Sequence, residues 1–210
     1  MPSIARYERA AVADLLEAVG PDAPTLCEGW DARDLAAHLV VRERRADAAP
    51  GIVLRPLSGH TESVQRSYAE RPFEVLVHLV RTGPGRLSWL SLPKADRFLN
   101  TTEYFVHHED LRRAQTGWSA RVLPDRVQEA LWKAVKVRGM AAFRGAGCGV
   151  VLRRTGGDEV TASHGEPVAV VTGEPQELLL YVFGRRGHAL VDVSGPEQAQ
   201  EMLRGADTQV

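Results

Sequence analysis

The stretch that decides the fold is Thr101-Thr-Glu103-Tyr-Phe-Val-His107-His-Glu-Asp110. Glu103 and His107 stand four residues apart, so on a helix both side chains lie on one face, about one turn from each other. A carboxylate and an imidazole in that arrangement can share one divalent metal. The same spacing is also typical of a solvated helix face, so by itself it predicts the helix more firmly than the metal.

A second candidate ligand, His38, lies in Asp31-Ala-Arg-Asp-Leu-Ala-Ala-His38-Leu-Val. Its apolar neighbours predict partial burial, and a buried histidine needs a polar partner: a metal, a backbone carbonyl or a carboxylate. Two histidines and one carboxylate from two packed helices would hold a metal and leave coordination positions open. Open positions are typical of catalytic rather than structural metal sites.

Two segments together resemble a known family. Cys27-Glu-Gly-Trp30-Asp-Ala-Arg-Asp34-Leu-Ala-Ala-His38 follows the pattern C-x-G-W-x-x-x-D-L-x-x-H, and Glu103-Tyr-Phe-Val-His107-His-Glu-Asp110 follows E-x-x-x-H-x-x-D. Both patterns are similar to those of the DinB-like, mycothiol-dependent maleylpyruvate isomerase superfamily. The resemblance covers roughly residues 1–145 well. The tail also resembles the small C-terminal domain of the isomerase branch, most clearly at Gly165-Glu-Pro and Leu178-Leu-Leu-Tyr-Val-Phe-Gly184-Arg185. The sequence departs from the family pattern at His108 and Glu109, and this affects the expected substrate more than the expected metal.

The resemblance implies an α+β chain in two parts. Residues 1–145 would form a four-helix DinB-like bundle that holds one metal, and residues 149–210 a small α+β C-terminal domain. The implied ligands are His38, Glu103 and His107. The expected ion is divalent, with zinc as first choice and nickel or iron as alternatives.

The resemblance also implies a chemistry. Mycothiol, activated as its thiolate, would add to an electrophilic carbon of a small substrate; rotation about a C–C bond and elimination would return the thiol with the double bond isomerised. Arg185 is the candidate catalytic residue that holds a substrate carboxylate by a bidentate pair. The alternative for Arg185 is a surface arginine that follows a helix.

Three further residues near these motifs have two interpretations each. Asp110 is either the acceptor that orients an imidazole or a surface carboxylate, and we favour the first. Cys27 is either a thiol ligand or a small apolar side chain in the core, and we favour the second. His108 points about 100° away from the Glu103 face, which predicts packing or solvent.

Composition limits the partners. The chain has 210 residues, a net charge of −1 and a pI near 6.7, which give no case for binding nucleic acid or an anionic membrane. It has no 18-residue apolar run, no signal-peptide pattern and two distant cysteines, so we expect a soluble, cytoplasmic protein. The scarcity of lysine beside abundant Ala, Gly and Val suggests a GC-rich, actinobacterial source. The oligomeric state stays open.

The spacing of apolar residues and the positions of Gly and Pro predict the secondary-structure elements. Ser3 and Asp31 should cap the first two helices, residues 46–60 should form a loop, and further helices should follow Pro72, Thr101 and Pro124. Short β-rich runs are expected at residues 150–153, 160–163, 168–171 and 189–193, with a helix over 175–183 between the last two.

Two function classes remain. The first is a metal- and thiol-dependent transferase or isomerase. The second is a non-enzymatic metal-binding protein of the same fold, stress-related or binding a small ligand. Two histidines and a carboxylate also suit non-haem iron oxygenases, but those are usually built on β-barrels, and this N-terminal region is predicted to be helical.

Overall fold

The computed structural model describes residues 3–52, 55–84 and 99–206. The chain divides into two compact units, Met1–Ser119 and Ala120–Val210. Every β-strand in the described ranges lies in the second unit. The structure thus confirms the predicted α+β class, with a helical N-terminal region followed by a small sheet.

The first unit is built from α-helices, which we number in chain order. Two 3₁₀ turns, Ala49–Ile52 and Arg55–Leu57, precede the third helix. The helices are α1 (Ile4–Val19), α2 (Ala32–Arg44), α3 (Ser58–Ala69), α4 (Phe73–Thr82) and α5 (Thr101–Arg113). Helix α1 packs against α4 and α5, while α2 packs against α3 and α4.

Local capping fixes where the first two helices begin. The Ser3 side chain accepts a hydrogen bond from the backbone N–H of Arg6, and Asp31 forms a reciprocal capping box with Asp34. Each cap satisfies backbone donors that the first helical turn leaves without partners. Both predicted starts are therefore confirmed, and the start of α2 sets the position of His38 along it.

An apolar cluster of side chains holds the first unit together. It contains Leu16 of α1, Leu35 and Leu39 of α2, Leu76 of α4 and Leu111 of α5, all nearly or fully buried. Burying a leucine side chain contributes roughly 1.5–3 kcal/mol, so these residues are a main source of the stability of the first unit.

The loop predicted over residues 46–60 is wrong at its C-terminal end, because α3 already begins at Ser58. Two breaker pairs, Pro50-Gly51 and Ser58-Gly59, favour a loop when the sequence is considered alone. Thr61, Val64 and Tyr68 form a buried face with helical spacing. Packing of that face against α2 outweighs the weak local propensity.

The second unit is a four-stranded sheet with helices. Its elements are α6 (Asp125–Ala142), β1 (Gly149–Arg154), β2 (Glu159–Ser163), β3 (Val168–Gly173), α7 (Pro175–Val182), a 3₁₀ turn (Arg186–His188), β4 (Val191–Ser194) and α8 (Glu197–Gly205). The strand order is β2-β1-β3-β4. Strands β1 and β3 are parallel, and the other two pairs are antiparallel.

The two compact units divide near residue 120, whereas the predicted domains are 1–145 and 149–210. Helix α6, which the sequence placed with the bundle, packs against α7 of the second unit. The predicted domain boundaries stay a prediction.

In the described part of the chain, no helix combines the length and the apolar character that crossing a bilayer requires.

Candidate metal centre

The three predicted ligands meet where α2 faces α5. Nε2 of His38 lies 3.3 Å from Oε1 of Glu103, and Nε2 of His107 lies 3.4 Å from the same oxygen. The two imidazole rings are 5.1 Å apart between centroids. His38 is at least 65 positions from Glu103 and His107 in the chain, yet the three donor atoms lie within 4.8 Å of one another.

This arrangement fits a divalent metal. A tetrahedral ion bound to nitrogen and oxygen at about 2.0–2.1 Å separates those ligand atoms by roughly 3.3 Å, and the two nitrogen–oxygen distances are close to that value. The histidine side chains are 8% and 11% exposed and that of Glu103 is 21% exposed, so the group is largely buried but reaches solvent. Three ligands with one accessible side suit a site that keeps coordination positions open.

Asp110 orients one of the imidazoles. Its carboxylate is fully buried, and Oδ2 lies 3.0 Å from Nδ1 of His107. An N–H at Nδ1 that donates to Asp110 leaves the lone pair of Nε2 directed towards Glu103, as a metal ligand requires. The structure thus supports the interpretation of Asp110 as the acceptor that orients an imidazole. Its full burial excludes a surface carboxylate.

The loop before α2 contacts both histidines. The Trp30 ring lies 4.9 Å from the His38 ring between centroids. Cys27 packs partly buried against the apolar cluster, as predicted, but its Sγ also lies 3.2 Å from Oδ2 of Asp110 and 3.8 Å from Nδ1 of His107. Cys27 therefore packs against the apolar cluster and in addition has polar contacts that the sequence did not predict.

Arg42 is the residue near the site that the sequence analysis missed. Its Nε lies 3.2 Å from Oε1 of Glu103, and its Nη1 donates to Oδ1 of Asn100 at 2.9 Å. Arg42 follows His38 by four residues, and this one-turn spacing could have placed it beside the ligand. Its partners across the helix pair could be found only in the tertiary structure.

The surroundings shift the pKa values of all three candidate ligands. Burial would raise the pKa of Glu103, but the Arg42 charge and the two histidines hold that pKa well below its usual value. Burial lowers the pKa of His38, outweighing the contact with Glu103. Burial would also lower the pKa of His107, yet Asp110, Cys27 and Glu103 together raise it well above its usual value.

The other polar residues singled out in the sequence lie outside this group. His108 is buried and its Nδ1 lies 2.7 Å from Oε2 of Glu8 on α1, which agrees with a packing role. Arg185 follows α7 in the second unit, where its Nη1 donates to the carbonyl of Phe183 at 2.6 Å. Its role in holding a substrate stays a prediction.

Comparison with known proteins bears on the fold. No protein-family model and no curated protein matches the chain. A crystal structure of mycothiol-dependent maleylpyruvate isomerase is similar at TM-score 0.60 and 18% identity, covering 91% of this chain and 90% of the other. A histidine-to-alanine mutant of that isomerase gives TM-score 0.61 and 17% identity with the same coverage. The chain therefore shares its fold with mycothiol-dependent maleylpyruvate isomerase, as its motifs predicted.

Proposed function

We propose that this protein is a metal-dependent transferase or isomerase that uses a low-molecular-weight thiol, mycothiol by resemblance, on a small, electrophilic and acidic substrate. The observation that carries the proposal is the convergence of His38, Glu103 and His107 on a fold shared with a mycothiol-dependent isomerase. We expect zinc as the resident metal, with nickel or iron as alternatives.

The three ligands would hold a divalent ion, whose Lewis acidity lowers the pKa of a coordinated thiol so that the thiolate nucleophile is present at neutral pH. Around it, the protein's own residues have positioning roles. Asp110 fixes the tautomer of His107, and Trp30 packs against the ring of His38.

Arg42 contributes both orientation and charge. Its contacts with Glu103 and Asn100 hold the Glu103 carboxylate between the two histidines. Its positive charge also offsets the negative charge of Glu103, so the ligand group does not repel an approaching anion. Both a thiolate and an acidic substrate are anions, and this balance favours their approach. We propose that Arg185 binds the substrate carboxylate.

The test is a turnover assay of the zinc-loaded protein. Mycothiol and glutathione are each combined with maleylpyruvate and with a generic electrophile such as chlorodinitrobenzene. We expect turnover that requires mycothiol and metal and that Glu103→Ala abolishes. The matched control is Glu201→Ala, the same substitution at an exposed position of α8. Arg185→Lys should raise KM for the acidic substrate more than it lowers kcat.

The outcomes separate the candidate functions. Turnover that persists without thiol and without metal would contradict the proposal. Stoichiometric metal with neither turnover nor thiol binding would favour the alternative, a non-enzymatic metal-binding protein. Loss of metal in His107→Ala, measured by elemental analysis, tests the ligand assignment independently of any activity.

A further inference from the structure

His107 faces a different set of donor atoms through each of its two ring nitrogens. Nε2 faces Glu103 and His38, whereas Nδ1 faces Oδ2 of Asp110 at 3.0 Å and Sγ of Cys27 at 3.8 Å. Sγ and Oδ2 are themselves 3.2 Å apart. Cys27, His107 and Asp110, which we call the sulfur triad, thus form a second compact group of metal-type donors.

The distances in the sulfur triad are close to those of a metal site. A tetrahedral ion that binds sulfur at about 2.3 Å and nitrogen or oxygen at about 2.0 Å separates these ligand atoms by roughly 3.3–3.6 Å. The three observed separations differ from that range by a few tenths of an ångström. The same separations also suit hydrogen bonds, so donor chemistry and a direct measurement must distinguish the two roles.

We propose that the sulfur triad is a second metal site, selective for thiophilic divalent cations such as Zn²⁺ and Cd²⁺. Thiolate sulfur favours soft cations, and an imidazole and a carboxylate complete a donor set common in zinc proteins. Cys27 is partly exposed and gives the ion a route from solvent, whereas Asp110 is fully buried.

Binding at the sulfur triad is an exchange of a proton for metal. The ion replaces the proton of the Cys27 thiol, which passes to solvent, and binds Nδ1 of His107, whose ring proton is then carried on Nε2. No electron transfer is involved. The site uses neither His38 nor Glu103, but it shares His107 with the first group, so an ion at the triad and an ion at the first group compete for this imidazole.

A cadmium titration tests the site, because a Cd²⁺–thiolate bond has an ultraviolet charge-transfer absorption that histidine and carboxylate ligands do not produce. Metal-free protein is reduced with a phosphine, so that no added thiol contributes. We expect the absorption to appear in the natural chain, to persist in Glu103→Ala and to be lost in Cys27→Ser. Cys148→Ser is the matched control, since Cys148 is the other cysteine and lies buried in the second unit.

The serine variant should keep its fold, because a hydroxyl can still donate to Asp110; circular dichroism checks this. A second measurement is alkylation of Cys27 by iodoacetamide, which bound Cd²⁺ should slow at least tenfold. Absence of the absorption in the natural chain, its persistence in Cys27→Ser, or its loss in Glu103→Ala would overturn the proposal. In the first case the triad is a hydrogen-bonded group only.

Discussion

Replacing Asp110 should weaken metal binding at His38, Glu103 and His107 although Asp110 touches none of the open positions. The buried carboxylate accepts from Nδ1 of His107 at 3.0 Å, and this bond fixes which nitrogen faces Glu103. Loss of such a partner typically costs 10–100-fold in metal affinity, or about 1.4–2.8 kcal/mol.

Two substitutions of Asp110 should give losses of metal affinity at the two ends of that range. In Asp110→Asn the amide oxygen can still accept from Nδ1, but without the negative charge, so we expect roughly a tenfold loss of affinity. In Asp110→Ala the buried Nδ1–H loses its acceptor, and we expect about a hundredfold loss. The backbone hydrogen bond from Leu26 to the carbonyl of residue 110 is available in both variants, so the loop before α2 keeps that anchor.

The assay is competition for Zn²⁺ with a chromophoric chelator, performed on metal-free protein with Cys27 already replaced by serine, so that only the first site is measured. Asp192→Asn, on an exposed position of β4, is the matched control. An Asp110→Ala variant that binds zinc within twofold of its parent would refute the reasoning, because orientation of His107 would then not depend on this carboxylate.

The other predictions concern neighbouring contacts. Trp30→Ala should weaken zinc binding several-fold while Trp30→Phe retains most of it, since the ring packs 4.9 Å from that of His38; equal affinities for both variants by chelator competition would contradict this. Arg9 and Glu43 form a buried pair at 2.9 Å, so Arg9→Met or Glu43→Leu alone should each lower the free energy of unfolding in urea by about 3–5 kcal/mol, whereas the double variant should be nearly neutral. Burial raises the pKa of Glu43 above its usual 4.5 despite the charge of Arg9, so the folded chain binds this proton more tightly than the unfolded chain. The difference in free energy of unfolding between the natural chain and Glu43→Gln should therefore rise as the pH falls from neutrality through that raised pKa. A difference that does not change with pH would show that the pKa of Glu43 is unshifted.

Local sequence was enough for several elements. A side-chain cap acts within three residues, so the starts at Ser3 and Asp31 could be predicted without knowledge of the fold. The helical spacing of Glu103 and His107 is likewise local. Helix α3 was missed entirely because its breakers are local, whereas the packing that overrides them is not. Helix α8 was missed because its sparse apolar positions, mainly Ala199 and Leu203, are buried only by the folded unit.

The sequence by itself determined the helical N-terminal region, the strands after Gly149 and three metal-ligand candidates. It could do so because spacing, capping and motif order are properties of nearby residues. Only the tertiary structure decided that the ligands meet, that Arg42 pairs with Glu103 and that Cys27 contacts Asp110. The last contact joins positions 83 residues apart. Such contacts arise from the packing of α2, α5 and the loop before α2, and the spacing of residues along the chain carries no information about them.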